Sequence, residues 1–443
     1  MVSSGQTLKL KQIVTAETSH LACTVEQFLG AGGQGEVFKA TLSGRPIALK
    51  WYFKQTATPE QRAALDILVK RGAPNDRFLW PIELASARGV PGFGYLMLLR
   101  EPGYKSIVDL MKRRVEPTFK VLITAGLELS NSFLELHAMG LCYRDISFGN
   151  VFFHPVDGTV LICDNDNVGV DGEGVIGVLG TPRFMAPEIV RGDARPSTQT
   201  DLFSLAVLLF YMLMVSHPLE GEQEASIRCF DLPAMNKIYG SEPVFIFDPR
   251  NKSNRPVKGI HDNALAYWPI YPQFMRDLFT KAFTDGLRDV RSRVRESEWR
   301  SALAILRDTV VYCPACQSEN FYDPALLKNN KKMNACWNCK KEIILPFHLK
   351  IGSSIVMLNN DSRLFPHHID QHRLYDFSTA VAIVIRHPAD LKVWGLKNLS
   401  NEKWVITALD GTIKDVEPGK SVTLAVGVKV NFGKTEAEIR HGS

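Results

Sequence analysis

Residues 143–150 read Tyr-Arg-Asp-Ile-Ser-Phe-Gly-Asn and combine several polar side chains that can take part in chemistry. It places a carboxylate, Asp145, and a carboxamide, Asn150, five positions apart. Fourteen residues after Asn150, an apolar run ends in Asp164. Mg²⁺ prefers hard oxygen ligands, which Asn150 and Asp164 supply, and Asp145 can accept a proton from a hydroxyl group. The stretch therefore predicts a site where a hydroxyl reacts beside a bound cation.

A glycine-rich stretch lies upstream, where residues 30–37 read Gly-Ala-Gly-Gly-Gln-Gly-Glu-Val. Such a pattern also occurs in dinucleotide sites and in ordinary turns. A dinucleotide site would lead from the glycines into a helix. Here Val37 leads instead into a second predicted strand, Ile47-Ala48-Leu49-Lys50. The backbone N–H groups of the glycines can approach phosphate oxygens, and Lys50 can reach the α and β phosphates.

Two further motifs follow in order: residues 180–188 read Gly-Thr-Pro-Arg-Phe-Met-Ala-Pro-Glu, and residues 201–204 read Asp-Leu-Phe-Ser. With residues 143–150 and Asp164, they resemble the catalytic loop, metal-binding loop, activation-segment end and central helix of eukaryotic-like Ser/Thr protein kinases. The resemblance covers about residues 25–308.

This resemblance implies a set of functional residues. Asp145, Lys50, Asn150 and Asp164 are the expected catalytic residues, with Asn150 and Asp164 holding Mg²⁺ for ATP. Leu98 is expected to be the gatekeeper and Leu99–Glu101 the hinge, whereas an Arg293–Glu188 pair is expected to be structural. The expected nucleotide-binding residues are Gly30, Gly32, Gly33, Gly35, Val37, Ala48, Lys50, Leu98, Leu99 and Glu101.

The sequence departs from the kinase pattern at several positions. Tyr143 stands where kinases keep a histidine, Ser147 where they keep a lysine, and residues 164–166 read Asp-Asn-Asp rather than Asp-Phe-Gly. The helix partner of Lys50 stays open between Asp66 and Glu60. An ATP-binding pseudokinase scaffold is therefore the alternative function, although the four expected catalytic residues are all present.

The expected activation segment contains few side chains that could be phosphorylated. Between Asp164 and Glu188 the only hydroxyl side chain is Thr181, which related kinases use as a structural contact. We therefore expect activity without phosphorylation in this segment. Arg144 is expected to anchor it, with an acidic partner chosen from Asp171 and Glu173.

Two Cys-x-x-Cys pairs follow the kinase-like region: Cys313 with Cys316, and Cys336 with Cys339, enclosing nineteen residues. This spacing is typical of a four-thiolate zinc ribbon, and four thiolates leave no open position, so the Zn²⁺ would be structural. The alternatives are a redox pair or a nucleic-acid-binding ribbon.

The last hundred residues read as strands. Val422 to Phe432 alternate apolar with smaller or polar residues, which predicts one strand. Asn398, Ser400 and Gly411 resemble the second half of a forkhead-associated domain, a phosphothreonine reader. The first half lacks the usual phosphate-binding residues, with Arg363 as the only substitute. A plain β-sandwich docking module is the alternative.

The order of kinase, zinc ribbon and β module resembles bacterial kinases of the tellurite-resistance-associated phosphorylation triad. That resemblance implies protein substrates, and as partners a von Willebrand A-type protein and a metal-dependent phosphatase.

Bulk properties are those of an ordinary globular protein. The 443 residues are 45% hydrophobic and 22% charged, with a net charge of +5. Lys and Arg are scattered, so nucleic-acid binding is not expected. The N-terminus lacks an apolar signal segment, the longest apolar stretch, Leu205–Val215, is too short for a membrane span, and the cysteines suggest a reduced compartment. We therefore expect a cytoplasmic protein without a membrane partner.

The fold class predicted is α+β: a two-lobed protein kinase fold, a small zinc ribbon and a C-terminal all-β, sandwich-like domain. The predicted segments are a flexible arm at 1–20, an N-lobe at 21–100, a C-lobe at 101–308, a ribbon at 309–345 and a forkhead-associated-like module at 346–443.

Overall fold

A computed structural model describes residues 6–172, 180–325, 333–390 and 392–441. The chain divides into two compact units. Unit 1 comprises Met1–Pro117, Thr124–Leu265 and Leu278–Arg300; unit 2 comprises Thr118–Ile123, Ala266–Asp277 and Ser301–Ser443. Unit 1 mixes strands and helices, and the C-terminal part of unit 2 consists mainly of strands. The mixed α and β content agrees with the predicted class.

A closed barrel in unit 1 is built from antiparallel strands in the order β1-β2-β3-β4-β6-β5. Its interior is apolar, and Phe38, Leu49 and Leu96 are fully buried there. The barrel therefore supports the glycine-rich turn between β2 and β3 and the lysine near the end of β4. The strands are β1 Ile13–Ala16, β2 Ala22–Ala31, β3 Gly35–Leu42, β4 Arg45–Tyr52, β5 Glu83–Ser86 and β6 Gly94–Met97.

The prediction of a flexible arm at residues 1–20 is wrong for the part that is described. Strand β1 pairs with both β2 and β5, so it closes the barrel. Leu8, Val14 and Ala16 are fully buried in its core. The apolar alternation here is only a few residues long, which is too short for a periodicity argument to detect.

Thr58, followed by Pro59 and by Gln61 three residues after the cap, predicts the start of a helix, and helix α1, Pro59–Arg71, begins there. The Thr58 side chain accepts a hydrogen bond from the backbone N–H of Gln61, and Pro59 occupies the first turn. Only Leu65 and Leu68 are buried, so one narrow face packs inward.

Helices of very different length dominate the region from Ile107 to Asp308. The sequence has helical patterns at 119–137 and 201–215, and the structure confirms helices there, as α3 and α5. Helix α5 is buried on every side, as its apolar composition predicts. The helices are α2 Ile107–Met111, α3 Phe119–Ala138, α4 Pro187–Val190, α5 Thr198–Met214, α6 Glu222–Ala225, α7 Leu232–Asn236, α8 Asp262–Tyr267, α9 Gln273–Phe283, α10 Asp285–Arg288 and α11 Glu296–Asp308.

Short strands position the catalytic stretch. Residues 143–150 lie between β8 and β9, and β9 pairs with β10 in an antiparallel hairpin. The backbone N–H of Cys163 donates to the carbonyl of Asn150 at 2.8 Å. The hairpin therefore brings the loop that holds Asp145 beside the loop that begins at Asp164. The strands are β7 Lys105–Ser106, β8 Leu141–Cys142, β9 Val151–Phe153, β10 Val160–Ile162 and β11 Gly169–Val170.

In unit 2, the cysteine-paired segment begins with the antiparallel strands β12 Val310–Tyr312 and β13 Glu319–Phe321. Their neighbours include an aromatic cluster in which the ring of Phe119 lies 5.5 Å from that of Phe321 and 6.0 Å from that of Trp337. The Glu319 carboxylate accepts the backbone N–H of Lys120 at 3.1 Å, which satisfies one donor at the start of α3.

The rest of unit 2 is a β-sandwich of two antiparallel sheets with one apolar core. The six-stranded sheet has the order β15-β14-β23-β22-β19-β20 and the four-stranded sheet β16-β17-β18-β21. The elements are β14 Phe347–Ile351, β15 Ser354–Met357, β16 Arg363–Leu364, α12 Pro366–Ile369, β17 Ala382–Arg386, β18 Trp394–Asn398, β19 Trp404–Thr407, β20 Ile413–Val416, β21 Ser421–Thr423, β22 Lys429–Asn431 and β23 Glu436–His441.

The single strand predicted from Val422 to Phe432 is wrong. The segment forms β21 and β22, which belong to different sheets. Gly427, with φ 84°, lies in the turn between them. The alternation is nevertheless real on both sides of the turn, because Val422 and Val430 both face the shared core.

Among the described residues, no helix combines the length and the apolar character needed to cross a membrane.

Candidate active site

The backbone of the catalytic stretch is fixed by a buried carboxylate from α5. Asp201 accepts the N–H of Tyr143 at 2.5 Å and that of Arg144 at 2.9 Å. His137, near the end of α3, contacts Asp201 through Nε2 at 3.2 Å and Glu296 through Nδ1. Burial lowers the pKa of His137, but its hydrogen bonds to Asp201 and Glu296 outweigh burial and raise it to about 9. The imidazolium and the two carboxylates therefore anchor the loop.

Asp145 is oriented by two neighbouring side chains. Asn150 Nδ2 donates to its backbone carbonyl at 2.8 Å and to its Oδ2 at 3.0 Å. The Thr181 hydroxyl donates to Oδ1 at 2.8 Å. Both carboxylate oxygens are thus held, which is the positioning that a general base needs. Because Asn150 uses its nitrogen for these bonds, its side-chain oxygen is the atom available to a cation.

Asp164 lies directly beyond β10 in a left-handed conformation, with φ 54°. Its Oδ1 is 2.5 Å from Lys50 Nζ, so the predicted metal ligand and the predicted phosphate ligand do come together. Burial and the neighbouring carboxylate of Asp166 raise the pKa of Asp164, outweighing the effect of Lys50. Its side chain is 38% exposed, whereas that of Lys50 is 6% exposed.

The partner of Lys50 predicted on helix α1 is wrong for both candidates. Asp66 pairs with Lys70 on the surface, and Glu60 is exposed. Lys50 instead contacts Asp166 Oδ2 at 2.7 Å. Burial lowers the pKa of Lys50, but the Asp166 and Asp164 carboxylates outweigh it and raise the pKa. The helix cannot supply the carboxylate because Asp66 lies on its exposed face.

The glycine-rich turn has a steric requirement at one position. A Cβ on Gly35 would lie 2.2 Å from the backbone oxygen of Trp51, so only glycine permits the close approach of β3 and β4. A Cβ on Gly30, Gly32 or Gly33 would meet no atom within 4 Å, so the structure imposes no steric requirement for glycine at these three positions. The N–H of Gly32 bonds the carbonyl of Gly35 at 2.9 Å and shapes the turn.

The expected gatekeeper, Leu98, is wrongly placed. Met97 is the residue opposite Ala48, just as Tyr95 is opposite Lys50. Met97 is buried, whereas Leu98 is 56% exposed. Because side chains alternate along a strand, Met97 shares the face of Ala48 and Leu98 points away.

Of the other expected nucleotide-binding residues, two pack against apolar side chains and one is exposed to solvent. Val37 and Leu99 pack against the apolar cluster that contains Ala48 and Met97. Glu101, at the end of the expected hinge, is exposed.

Sequence reasoning missed three residues of this site. Asp166 is fully buried and also accepts a hydrogen bond from the Tyr52 hydroxyl. Gln61 Nε2 donates to that hydroxyl at 3.2 Å and to the backbone oxygen of Asp166 at 3.3 Å. The Asp-Asn-Asp triplet could have indicated Asp166 as a site residue. It places a second carboxylate two positions beyond Asp164, and a carboxylate that is buried needs a cationic partner.

Arg144 lies beside the first residues of the activation segment. The Arg144 guanidinium lies against Gly169, where an added Cβ would meet it at 2.0 Å, and donates to the carbonyl of Val170 at 3.5 Å. The Asp171 carboxylate accepts the backbone N–H of Thr198 at 2.8 Å. Glu173, the other expected partner of Arg144, lies outside the described residues.

The donor set suits a divalent cation. The Asp164 and Asp166 carboxylates share one lysine, so the cluster has one negative charge in excess. Asp164 is the more exposed of the two acids and, with the oxygen of Asn150, offers the hard ligands that Mg²⁺ prefers.

The four predicted zinc ligands converge in unit 2. Their sulfur atoms lie within 4.8 Å of one another, with Cys313 and Cys339 at 3.5 Å and Cys316 and Cys336 at 3.7 Å. Ligands 2.3 Å from a tetrahedral ion are about 3.8 Å apart, so this arrangement fits four-sulfur coordination. Asn320 Nδ2 lies 3.6 Å from the Cys336 sulfur as a hydrogen-bond donor.

Comparison with known proteins finds a family match over more than half of the chain. The family model described as protein kinase domain matches residues 23–270. The chain is 28% identical over 215 residues to ribosomal protein S6 kinase alpha-4 of Mus musculus, which covers 44% of this chain and 27% of that protein. It is 31% identical over 129 residues to probable serine/threonine-protein kinase CCRP1 of Zea mays, covering 28% of this chain and 20% of that protein.

A third relative, mitogen-activated protein kinase kinase kinase 13-B of Xenopus laevis, is 28% identical over 225 residues, covering 49% of this chain and 22% of that protein. The chain thus spans between 20% and 27% of the length of these three relatives.

Proposed function

The chain belongs to the protein kinase family, and we propose that it transfers the γ-phosphate of Mg·ATP to serine and threonine hydroxyls of itself and of partner proteins. The family match, and a relative named as a probable serine/threonine-protein kinase, support the assignment as a protein serine/threonine kinase. The observation that carries the proposed mechanism is the convergence of Asp145, Asn150, Asp164 and Lys50 around one hairpin.

In this mechanism Asp145 accepts the proton of the attacking hydroxyl. Thr181 and Asn150 orient its carboxylate, so the group does not need to reorganise when the substrate arrives. Lys50 binds the α and β phosphates as a point charge, and the glycine-rich turn covers them.

Asn150 and Asp164 would hold Mg²⁺. The cation neutralises negative charge on the phosphates when it is bound. The excess negative charge of the Asp164–Asp166–Lys50 cluster supports this assignment. Arg144 lies against the first residues of the activation segment and would hold that segment in place.

We further propose that Cys313, Cys316, Cys336 and Cys339 hold one structural Zn²⁺, which their sulfur separations support. Four protein ligands leave no position for a reacting water. We propose that the β-sandwich docks partners. We also propose a place in bacterial, cytoplasmic signalling, beside a von Willebrand A-type protein and a metal-dependent phosphatase, and this proposal rests on the resemblance alone. Neither nucleic acid nor a membrane is a proposed partner.

Labelled ATP with Mg²⁺ tests the proposal. Asp145→Asn and Asp164→Asn should each lower phosphate incorporation by about a hundredfold or more, because each removes a group that acts in transfer. Asp193→Asn is the matched control, since Asp193 is exposed and its carboxylate pairs with the surface residue Arg191.

Undiminished transfer in the Asp164→Asn variant would contradict the assigned roles. A wild-type chain that binds ATP but transfers no phosphate would instead support the pseudokinase scaffold.

A further inference from the structure

The side chain of Asp166 is completely buried beneath Lys50. It belongs to the single turn Asn165–Asn167, which follows β10 by a few residues. Its two oxygens lie 3.0 and 2.7 Å from Lys50 Nζ, and the Tyr52 hydroxyl donates to it from the same strand as the lysine. Asp166 is therefore bound to β4 at two points, one of them a charged hydrogen bond of short length.

Helix α1 supplies no carboxylate to this cluster. Its acidic residues are Glu60 and Asp66, and Asp66 pairs with Lys70 one turn away. The helix contributes the neutral amide of Gln61, which contacts the Tyr52 hydroxyl and the backbone oxygen of Asp166. A buried ammonium group requires a partner of opposite charge, and in this chain the partner comes from the metal-binding loop.

We propose that Asp166 is the positioning residue of Lys50, in the role that protein kinases give to a glutamate of this helix. The inference rests on the proposed function and deepens it. Two acids contact the lysine, but their surroundings differ: the Asp164 side chain is 38% exposed and that of Asp166 is 0% exposed. Asp164 can therefore bind a cation at the open side while Asp166 keeps the lysine in place.

The position of helix α1 then matters less for catalysis than in kinases that rely on a helix glutamate. The ion pair joins β4 to the loop after β10, and both lie outside the helix. Moving the helix would break the bonds of Gln61 but would leave the Lys50–Asp166 pair intact. Alignment of Lys50 is thus built into the strand and the loop rather than controlled by the helix.

The first test compares Asp166→Asn with Asp66→Asn. We expect Asp166→Asn to lower kcat/KM for ATP by at least about tenfold and to weaken binding of a non-hydrolysable ATP analogue, because the lysine loses its charged partner. Asp66→Asn should stay within about twofold of wild type in both measurements. Gln61→Ala should have a smaller effect than Asp166→Asn.

The second test moves the carboxylate to the helix. Gln61→Glu in the wild-type chain adds a third acid to the cluster and should reduce ATP-analogue binding. In the Asp166→Asn background the same change restores a carboxylate beside Tyr52 and should recover at least about half of the lost affinity on a logarithmic scale. Such a reversal of sign cannot come from a general loss of folding, and the thermal unfolding of each variant provides the check.

Binding and transfer are measured separately so that two failures can be told apart. A wild-type chain without transferase activity refutes the proposed function, whereas the analogue-binding series still tests Asp166. Asp166→Asn with unchanged ATP affinity and kcat overturns the inference. So does a variant that needs much more Mg²⁺ but binds the metal-free analogue normally, since Asp166 would then be a metal ligand.

Discussion

Arg293 and Glu188 form a bidentate ion pair in which Nη1 and Nη2 each lie 2.8 Å from one carboxylate oxygen. The Arg293 side chain is 2% exposed, and Nη1 also donates to the carbonyl of Gln199 at 2.7 Å. The pair therefore joins the end of the activation segment to the start of α5, and it confirms the structural role expected for these residues.

Replacing Arg293 with Met should destabilise unit 1 by about 3–5 kcal/mol, because it leaves a largely buried carboxylate without its partner. Adding Glu188→Gln to that variant should recover part of the loss. The matched control is Arg250→Met, whose ion pair with Asp285 is exposed on both sides and should contribute less than about 1 kcal/mol. Urea unfolding measures all three variants, and equal effects for Arg293 and Arg250 would contradict the prediction.

The order of the functional loops could be predicted from the sequence because each loop carries its motif within a few consecutive residues. The cap at Thr58 and the helices α3 and α5 depend on neighbours within a few residues, and all are found as expected. The failures depend on distant pairing. Strand β1 pairs with β5 and so closes the barrel. Strands β21 and β22 are separate because they pair into two different sheets.

The site shows the same limit. Asp164 and Asn150 follow from a local pattern, whereas the Lys50–Asp166 contact joins residues 116 positions apart. A choice among Asp66, Glu60 and Asp166 requires knowing which acids are buried, and periodicity along a helix with only two buried leucines does not reveal it. The gatekeeper was predicted one residue too late. Which side chains of β6 face the site depends on which residue lies opposite Ala48 in β4, and that residue is Met97.

The His137 cluster should make stability depend on pH above neutrality. Its pKa is raised from 6.5 to about 9 by Asp201 and Glu296 against the effect of burial. The stabilisation is therefore complete below about pH 6.5 and is lost as pH rises through 9; a shift of this size corresponds to roughly 3 kcal/mol. His137→Gln should flatten urea-unfolding stability between these values. An identical pH profile in the variant would contradict the prediction.

Thr181 should act as a hydrogen-bond donor rather than as a phosphorylation site. Its hydroxyl donates to Asp145 Oδ1 at 2.8 Å, and a phosphate there would set a dianion against the carboxylate. Thr181→Ser should keep activity within about threefold of wild type, whereas Thr181→Val should lower kcat more strongly than it raises KM. Stoichiometric phospho-Thr181 in the active protein, with activity lost on phosphatase treatment, would refute this.

The four-cysteine site should bind one zinc per chain, and its ligation should be part of folding in unit 2. Ligand binding of this kind stabilises zinc-finger peptides by about 10–16 kcal/mol. Cys336→Ser, which removes a buried ligand, should lose the metal and make the ribbon sensitive to proteolysis. Cys229→Ser is the control because that thiol is exposed and lies outside the site. Elemental analysis that finds no zinc in protein purified without chelator would count decisively against the site.

The β-sandwich should bind its partner with little dependence on phosphothreonine. Asn398, which resembles a peptide-binding position, is fully buried, and its amide donates to the backbone oxygens of Glu402 and Val416. Its oxygen accepts from the backbone and the hydroxyl of Ser400. The hydrogen-bonding groups of Asn398 are thus used to shape the loop. Arg363, the substitute phosphate ligand expected from the sequence, is exposed in β16.

Titrating the full chain, without ATP, with phosphorylated and unphosphorylated forms of its own autophosphorylation-site peptides tests this prediction. We expect the two forms to bind within about tenfold of each other, a difference of no more than about 1.4 kcal/mol. Arg363→Ala should then change neither affinity, because the binding that we expect does not depend on a contact with phosphate. A preference of more than about a hundredfold for the phosphorylated form, abolished by Arg363→Ala, would show that the sandwich reads phosphothreonine through a charge-assisted contact.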